Sequence, residues 1–186
     1  MESHLILERI AALIHQSVRD DAARHGLQSI HVQILGYLAR ANRYSDMPIA
    51  VAEYLGITRG TVSQSLKVLE DKGLIRRRPD PRHGRRVHLE LTAAGRSILE
   101  HGWSGRLQAA LAAQESAQHG LGDALRELLR GLQQANRQRP FGICHQCAHF
   151  LVEADGHRCG LTGEALHDEQ TQKICREWTQ PDSRAA

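Results

Sequence analysis

Four cysteines and one run of arginines are the residues of this 186-residue chain that combine reactive or charged groups with regular intervals. Cys144, Cys147, Cys159 and Cys175 follow the pattern C-x2-C-x11-C-x15-C and are its only cysteines. Four thiolates complete one tetrahedral Zn(II) site or hold one iron–sulfur cluster. In a reducing compartment, thiols gathered at one end of a chain point to a metal or redox site more than to structural disulfides, with two reversible disulfides as the alternative. No βαβ pattern surrounds Cys144 and Cys147, which speaks against a thioredoxin-like pair. His145, His149, His157 and His167 lie nearby, but four cysteines already fill a site, so these histidines are read as surface residues.

Between Arg76 and Arg86 the chain has six arginines and one acid. Pro79-Asp80-Pro81 and His83-Gly84 are turn formers. Val87, Leu89 and Leu91 then alternate with Arg86, His88 and Glu90, as in a strand with one wet face. The spacing therefore predicts a hairpin over Arg76–Leu91 whose tip carries Arg82, Arg85 and Arg86. Arginines on a rigid tip suit the narrow, electronegative minor groove of DNA.

The preceding helix fits the same purpose. Thr58 is a good N-cap, and at 100° per residue Val62, Ser65, Leu66 and Leu69 share an inward face. Gly60, Gln64, Lys67 and Asp71 lie opposite, flanked by Thr61 and Ser63. Small hydroxyls, an amide and a lysine approach base edges and phosphates without bulk. A plain amphipathic surface helix has the same pattern, so context decides. Pro48 to about Gly56 reads as a short helix, and with the turn at Gly56-Ile57 it makes a helix-turn-helix pair. The candidate DNA contacts are Arg59, Thr61, Ser63, Gln64, Lys67, Arg82, Arg85 and Arg86.

The flanking elements are helical. Ile6, Ile10, Leu13, Ile14 and Val18 mark a helix over residues 4–25, and Ile30, Ile34, Leu35 and Leu38 a second over 29–41. Asn42–Asp46 reads as a polar loop. Thr92 opens a long helix with Ile98, Leu99, Leu107 and Leu111 on one side. Its Gly95, Gly102 and Gly105 each cost about 1 kcal/mol relative to Ala, so tertiary support or a kink is expected. Ala112–Gly120 is a weak break, after which Leu121, Leu125, Leu128 and Leu132 form another stripe. The terminal helices carry more apolar surface than one small domain covers, which predicts a two-fold dimer with paired reading helices. Asn136–Pro140 reads as a linker. The tail, Phe141–Pro181, is too poor in apolar residues to fold without a metal, disulfide or partner.

The net charge of +3 is mild, so clustering rather than total charge carries the nucleic-acid argument. Glu2, Glu8 and Arg9 do not suit a signal peptide, and no apolar run approaches the ~18 residues of a membrane span. A soluble, cytoplasmic protein is expected. No Gly-rich cofactor loop follows a strand, and no triad or carboxylate pair stands out, so an enzyme, including a redox enzyme using the tail, is disfavoured.

The segment LGITRGTVSQSLKVLEDKGLIRRRPDPRHGRRVHLELTAAG resembles the winged helix-turn-helix of the MarR family of bacterial transcription regulators. The likeness rests on the Leu-Gly entry, the Thr-Val-Ser start of the reading helix, its Leu-Glu-x-Lys-Gly-Leu end, the Asp-x-Arg wing and the Leu-Thr-x-x-Gly exit. It implies that the helix spanning Thr58–Asp71 enters the major groove and that Arg82 reaches the minor groove. It also implies a dimer, repression as the commoner outcome, and often a small-molecule effector between the DNA and dimer regions, for which the sequence assigns no pocket. Two departures stand out. His83 replaces an acid that often braces the wing, and the cysteine-rich tail is not typical of the family. That tail is similar to small cysteine-rich modules, such as subunits of glycyl-radical enzymes, that hold a [4Fe–4S] cluster. The shared pieces are Cys144–Phe150, Cys159–Thr162 and Cys175–Pro181.

The expected architecture is mainly α with a small β wing: a winged helix-turn-helix flanked by dimerisation helices, plus a small cysteine-rich C-terminal module. Residues 1–137 form the first domain, with the reading part at about 45–92, then a linker at 138–140 and the four-cysteine metal-binding module at 141–181. The expected function is a dimeric regulator, a repressor, on a near-palindromic double-stranded operator. Its tail holds a [4Fe–4S] cluster, or alternatively Zn(II), and senses redox or metal state. The alternative is a structural zinc tail that docks a partner.

Overall fold

A computed structural model describes residues 2–81, 84, 86–100, 102–113 and 120–181. Its helices are α1 (Ser3–Arg24), α2 (Ser29–Arg40), α3 (Pro48–Leu55), α4 (Arg59–Asp71), α5 (Ala93–Glu100), α6 (Trp103–Ala112), α7 (Leu121–Ala135) and the short α8 (Asp168–Thr171). Strands β1 (Ile75–Pro79) and β2 (Val87–Leu91) pair as the wing. In the tail β3 (Gly142–Ile143) pairs antiparallel with β7 (Ile174–Cys175), and β4 (Phe150–Glu153), β5 (Gly156–Cys159) and β6 (Ala165–Leu166) form a second antiparallel sheet.

By compactness the chain divides into two units. One comprises Met1–Ala39, Ser63–Arg76 and Glu90–Leu125; the other comprises Arg40–Val62, Arg77–Leu89 and Arg126–Ala186. The tail thus shares a unit with α3 and most of the wing.

The first unit is built on aliphatic burial. Val18, Ala22, Val32, Ile34, Leu35, Tyr37, Leu66 and Leu69 are almost fully buried, and burial of that kind is the main drive to compactness. Asp21 is a charged residue within it, with a side chain only 2% exposed. Its Oδ2 accepts the Trp103 backbone N–H at 2.6 Å, while Oδ1 takes the Arg106 guanidinium at 3.1 Å and that of Arg24 as well. This carboxylate serves as the N-terminal cap of α6. It is the reason that the long helix expected from Thr92 is instead two, α5 and α6, with Gly102 as the N-cap residue of the second. Burial pushes the Asp21 carboxyl up, but Arg106, the Trp103 N–H and Arg24 outweigh it and hold it below the usual range.

Thr92 caps α5, its Oγ1 accepting the Gly95 N–H at 3.1 Å and donating to the Gly73 carbonyl at 2.7 Å. Gly95 is buried here because α5 passes close to the chain entering β1. A Cβ on Gly95 would lie under 3.0 Å from the Leu74 carbonyl oxygen.

The expected break at Ala112–Gly120 falls largely on 114–119, outside the described residues. Leu5, Ile6, Ile10 and Leu13 of α1 are exposed, as are Leu121, Leu125, Leu128, Leu129 and Leu132 of α7. Among the described residues, no helix is long and apolar enough to cross a membrane.

Candidate nucleic-acid interface and four-cysteine site

Helix α4 forms as the sequence requires. The Thr58 hydroxyl accepts the Thr61 N–H at 3.1 Å, satisfying an otherwise unpaired amide. Gly73, at φ 68, closes the other end, where Leu74 N–H reaches Leu69 O at 2.8 Å. Val62, Ser65, Leu66 and Leu69 are buried. Arg59, Gly60, Thr61, Ser63, Gln64 and Lys67 are exposed, leaving donors and acceptors on one solvent face of the helix. Arg86 is exposed just before β2. Arg82 and Arg85, with His83, lie outside the described residues.

The wing departs from the expected wet face at His88. Its side chain is 19% exposed, with Nδ1 at 2.6 Å from Asp46 Oδ1 and Nε2 at 3.2 Å from Asp80 Oδ2. The backbone repeats the tie, Leu89 N–H donating to Asp46 O at 2.7 Å. Burial lowers the affinity of His88 for its proton, but the two carboxylates outweigh this and raise its pKa above the ordinary 6.5. Because the folded pKa is raised, this bracing is complete below about pH 6.5 and lost as pH rises through the folded value. His88→Gln is expected to cost about 1–2 kcal/mol at pH 6 and clearly less at pH 9. Urea unfolding at both values checks this, and a cost independent of pH would count against an ionic brace.

In the tail, Cys144 opens a 3-10 turn after β3 and Cys147 follows it, while Cys159 ends β5 and Cys175 ends β7. All four line one cavity of about 20 Å3, with Tyr44, His149, Phe150, Leu161, Thr162, Leu166 and Glu177 as the rest of its wall. Burial, then the neighbouring thiols Cys175, Cys159 and Cys147, push Cys144 up to about 12. Burial raises Cys175 too, against the lowering influence of the nearby Asn42 amide and the Glu177 N–H. Thr179 N–H donates to the Cys147 sulfur at 3.3 Å. Hydrogen bonds of this kind are what thiolate ligands receive around metals and clusters. Among the described residues no group of three or more His, Cys, Asp or Glu is arranged to hold a metal ion as it stands. His145 and His167 are exposed, whereas His149 and His157 are half-buried. His149 lines the cavity, and His157 stacks on Phe150 at 5.0 Å.

The polar loop after α2 is the part that the sequence concealed. Rather than lying in solvent, Asn42 and Ser45 are buried. Ala41 bridges Ile174 in parallel, and Asn42 N–H donates to Ile174 O at 2.9 Å. Arg43 pairs with Glu164 at 2.8 Å and donates to Ala165 O, and the Tyr44 hydroxyl donates to Glu164 at 2.7 Å. Arg176, next to Cys175, grips Glu53 of α3 through two bonds of 2.6 and 2.9 Å. That grip holds the Glu53 carboxyl below its usual range. Nothing local in Asn42–Asp46 signals these partners, which lie more than a hundred residues away.

The sequence model of the MarR family matches residues 25–86, from just after α1 to the residue before β2. Among solved structures, Staphylococcus aureus MepR in DNA-binding conformation is 25% identical at a TM-score of 0.62, over 72% of this chain and 100% of its own. MepR described as a transcription regulator of the multidrug efflux pump MepA is 25% identical at 0.52, with the same coverage. A MepR–DNA complex, 21% identical at 0.54 over 73% of this chain and 98% of its own, agrees in fold. No curated protein matches. The matched segment holds the helix-turn-helix and β1 and stops just before β2, and with the MepR likeness it shows that the chain has the fold of a MarR-family DNA-binding transcription regulator, a family of regulators rather than enzymes.

Proposed function

We propose that this protein is a dimeric repressor whose four-cysteine site holds a [4Fe–4S] cluster and reports its state to the DNA-reading segment. The observation that carries the reading is the convergence of Cys144, Cys147, Cys159 and Cys175 on one cavity, in a tail clamped to α3 by Arg176 and Glu53. Four thiolates are the ligand set of a [4Fe–4S] cluster, and Zn(II), which takes the same four, is the second choice. The orphaned amide of Asn42 beside Cys175 and the N–H bond to Cys147 fit a thiolate-bound group. When bound, such a group supplies redox sensitivity or a metal-dependent brace. The chain's own residues supply the ligands, the donors that orient them and the clamp to α3.

On DNA, the exposed α4 side chains Arg59, Thr61, Ser63, Gln64 and Lys67 address the major groove, and the wing arginines Arg82, Arg85 and Arg86 the minor groove. The exposed apolar stripes of α1 and α7 support pairing of two copies, and a two-fold dimer suits a near-palindromic site.

The test uses full-length protein purified anaerobically and a duplex selected from a random pool. Wild type is expected to be brown, with iron and sulfide near four per chain in stoichiometry; one zinc in a colourless protein would favour the second choice. Cys147→Ser with Cys159→Ser should lose the group and change operator affinity by about 5–150-fold, the usual range for coupling between two sites. Unchanged affinity would remove the sensing role. Affinity for the duplex that does not fall with salt would remove the DNA reading.

A further inference from the structure

Asn42 stands two residues past the end of α2, 1% exposed, at the point where the helix-turn-helix segment meets β7. Its Oδ1 accepts two hydrogen bonds, from Tyr44 N–H at 3.1 Å and from the Ser45 hydroxyl at 2.8 Å. Those two donors fix which way the amide points. The NH2 group is therefore turned toward Cys175, buried and with no hydrogen-bond partner among the described residues. A neutral thiol is a weak acceptor for this donor, whereas a metal-bound thiolate is a strong one.

We propose that the Asn42 side-chain amide is the positioning residue that couples the four-cysteine site to the DNA-reading segment. This deepens the sensing role proposed above and rests on it. With a group bound, the amide donates to the Cys175 thiolate and is satisfied. Without one, a buried donor stands unpaired, and the loop relaxes by moving it. The consequence spreads because Asn42 anchors its neighbours. Ser45 Oγ accepts the Arg176 N–H at 2.7 Å. The next residue, Asp46, holds the wing through His88 Nδ1 at 2.6 Å and through Leu89 N–H at 2.7 Å. A change at the Cys175 sulfur thus reaches both the loop leading into α3 and the base of the wing.

Asn42→Asp tests the donor itself, since it keeps the Oδ1 acceptor and the side-chain shape while replacing NH2 by oxygen. Operator affinity is measured for wild type and variant, loaded with Cd(II) or with iron and sulfide, and after stripping by a chelator. Wild type is expected to show about a 10-fold difference between loaded and stripped forms. The variant should keep the bound group at purification, release it at least several-fold faster to chelator, and show less than a two-fold affinity difference. A variant with the wild-type difference and release rate overturns the proposal. Wild type that binds no group, or binds one without any affinity change, overturns the sensing role and this proposal with it. If the variant does not melt cooperatively, 15N spectra of wild type decide. The Asn42 side-chain NH2 signal should shift and gain exchange protection on adding Cd(II), and an unmoved signal overturns the proposal.

Discussion

Gly95→Ala is expected to destabilise the protein by about 2–3 kcal/mol, although the same substitution in an open helix helps. Ala is favoured over Gly inside a helix by about 1 kcal/mol. Against this, the added methyl would lie under 3.0 Å from the Leu74 carbonyl oxygen and close to Leu91 Cδ2. Neither neighbour yields easily. The Leu74 carbonyl accepts the Thr92 N–H at 3.1 Å, and Leu74 and Leu91 are buried. Relieving the clash pries α5 off the start of β1, an overpacking cost of about 1–3 kcal/mol, with about 1 kcal/mol more for each weakened hydrogen bond. Gly105→Ala is the internal control. Nothing lies within 4 Å of a Cβ there, so that variant should gain up to about 1 kcal/mol. Urea unfolding of both, with opposite shifts of the midpoint, is the expected result; shifts in the same direction would refute the steric account.

The second large effect belongs to Asp21. Asp21→Ala removes the N-terminal cap of α6 and leaves the Trp103 N–H and the Arg106 guanidinium without their acceptor. Breaking a buried pair from one side costs about 3–5 kcal/mol. Arg24 and Arg106 are more than half exposed, so water screens part of the loss and about 2–3 kcal/mol is expected. The sign with pH follows from the depressed carboxyl. A carboxylate with a lowered folded pKa stabilises fully above its unfolded value, near 3.8, and loses that contribution as pH falls through the folded value. Wild type and Asp21→Asn should therefore differ most near pH 7 and converge in acid. Curves that stay parallel down to the acid limit would place the stabilisation in packing instead of charge.

Both residues mark the boundary of what one sequence discloses. The buried face of α4 was legible because Val62, Ser65, Leu66 and Leu69 recur at 100° steps, and the caps at Thr58 and Gly73 are local chemistry. The wing was legible from its turn formers and alternation. Its bracing was not, since Asp46 lies 42 residues before His88 and no periodicity links them. The same holds for the break at Gly102. Its glycine raised the prospect of a kink, but the cap that starts α6 comes from 82 residues earlier. The cysteine spacing disclosed a candidate set of ligands. It could not disclose that Asn42 and Tyr44 face them, because that loop looks polar and solvated until its remote partners are in place. The exposed side chains of α4 follow from the same periodicity as its core.

The bonds that tie Arg43, Ser45 and Glu53 to Gln170 and Arg176 join residues 123 to 131 positions apart. On the ribosome, which extends a chain N-terminal end first at roughly 5–20 residues per second, α3 emerges well before the strand that tethers it. Closing so long a loop has an entropic cost that precedes any reward, and non-local contacts of this kind slow folding. The nascent α3 therefore waits for seconds before Arg176 and β7, synthesised more than 120 residues later, can tether it.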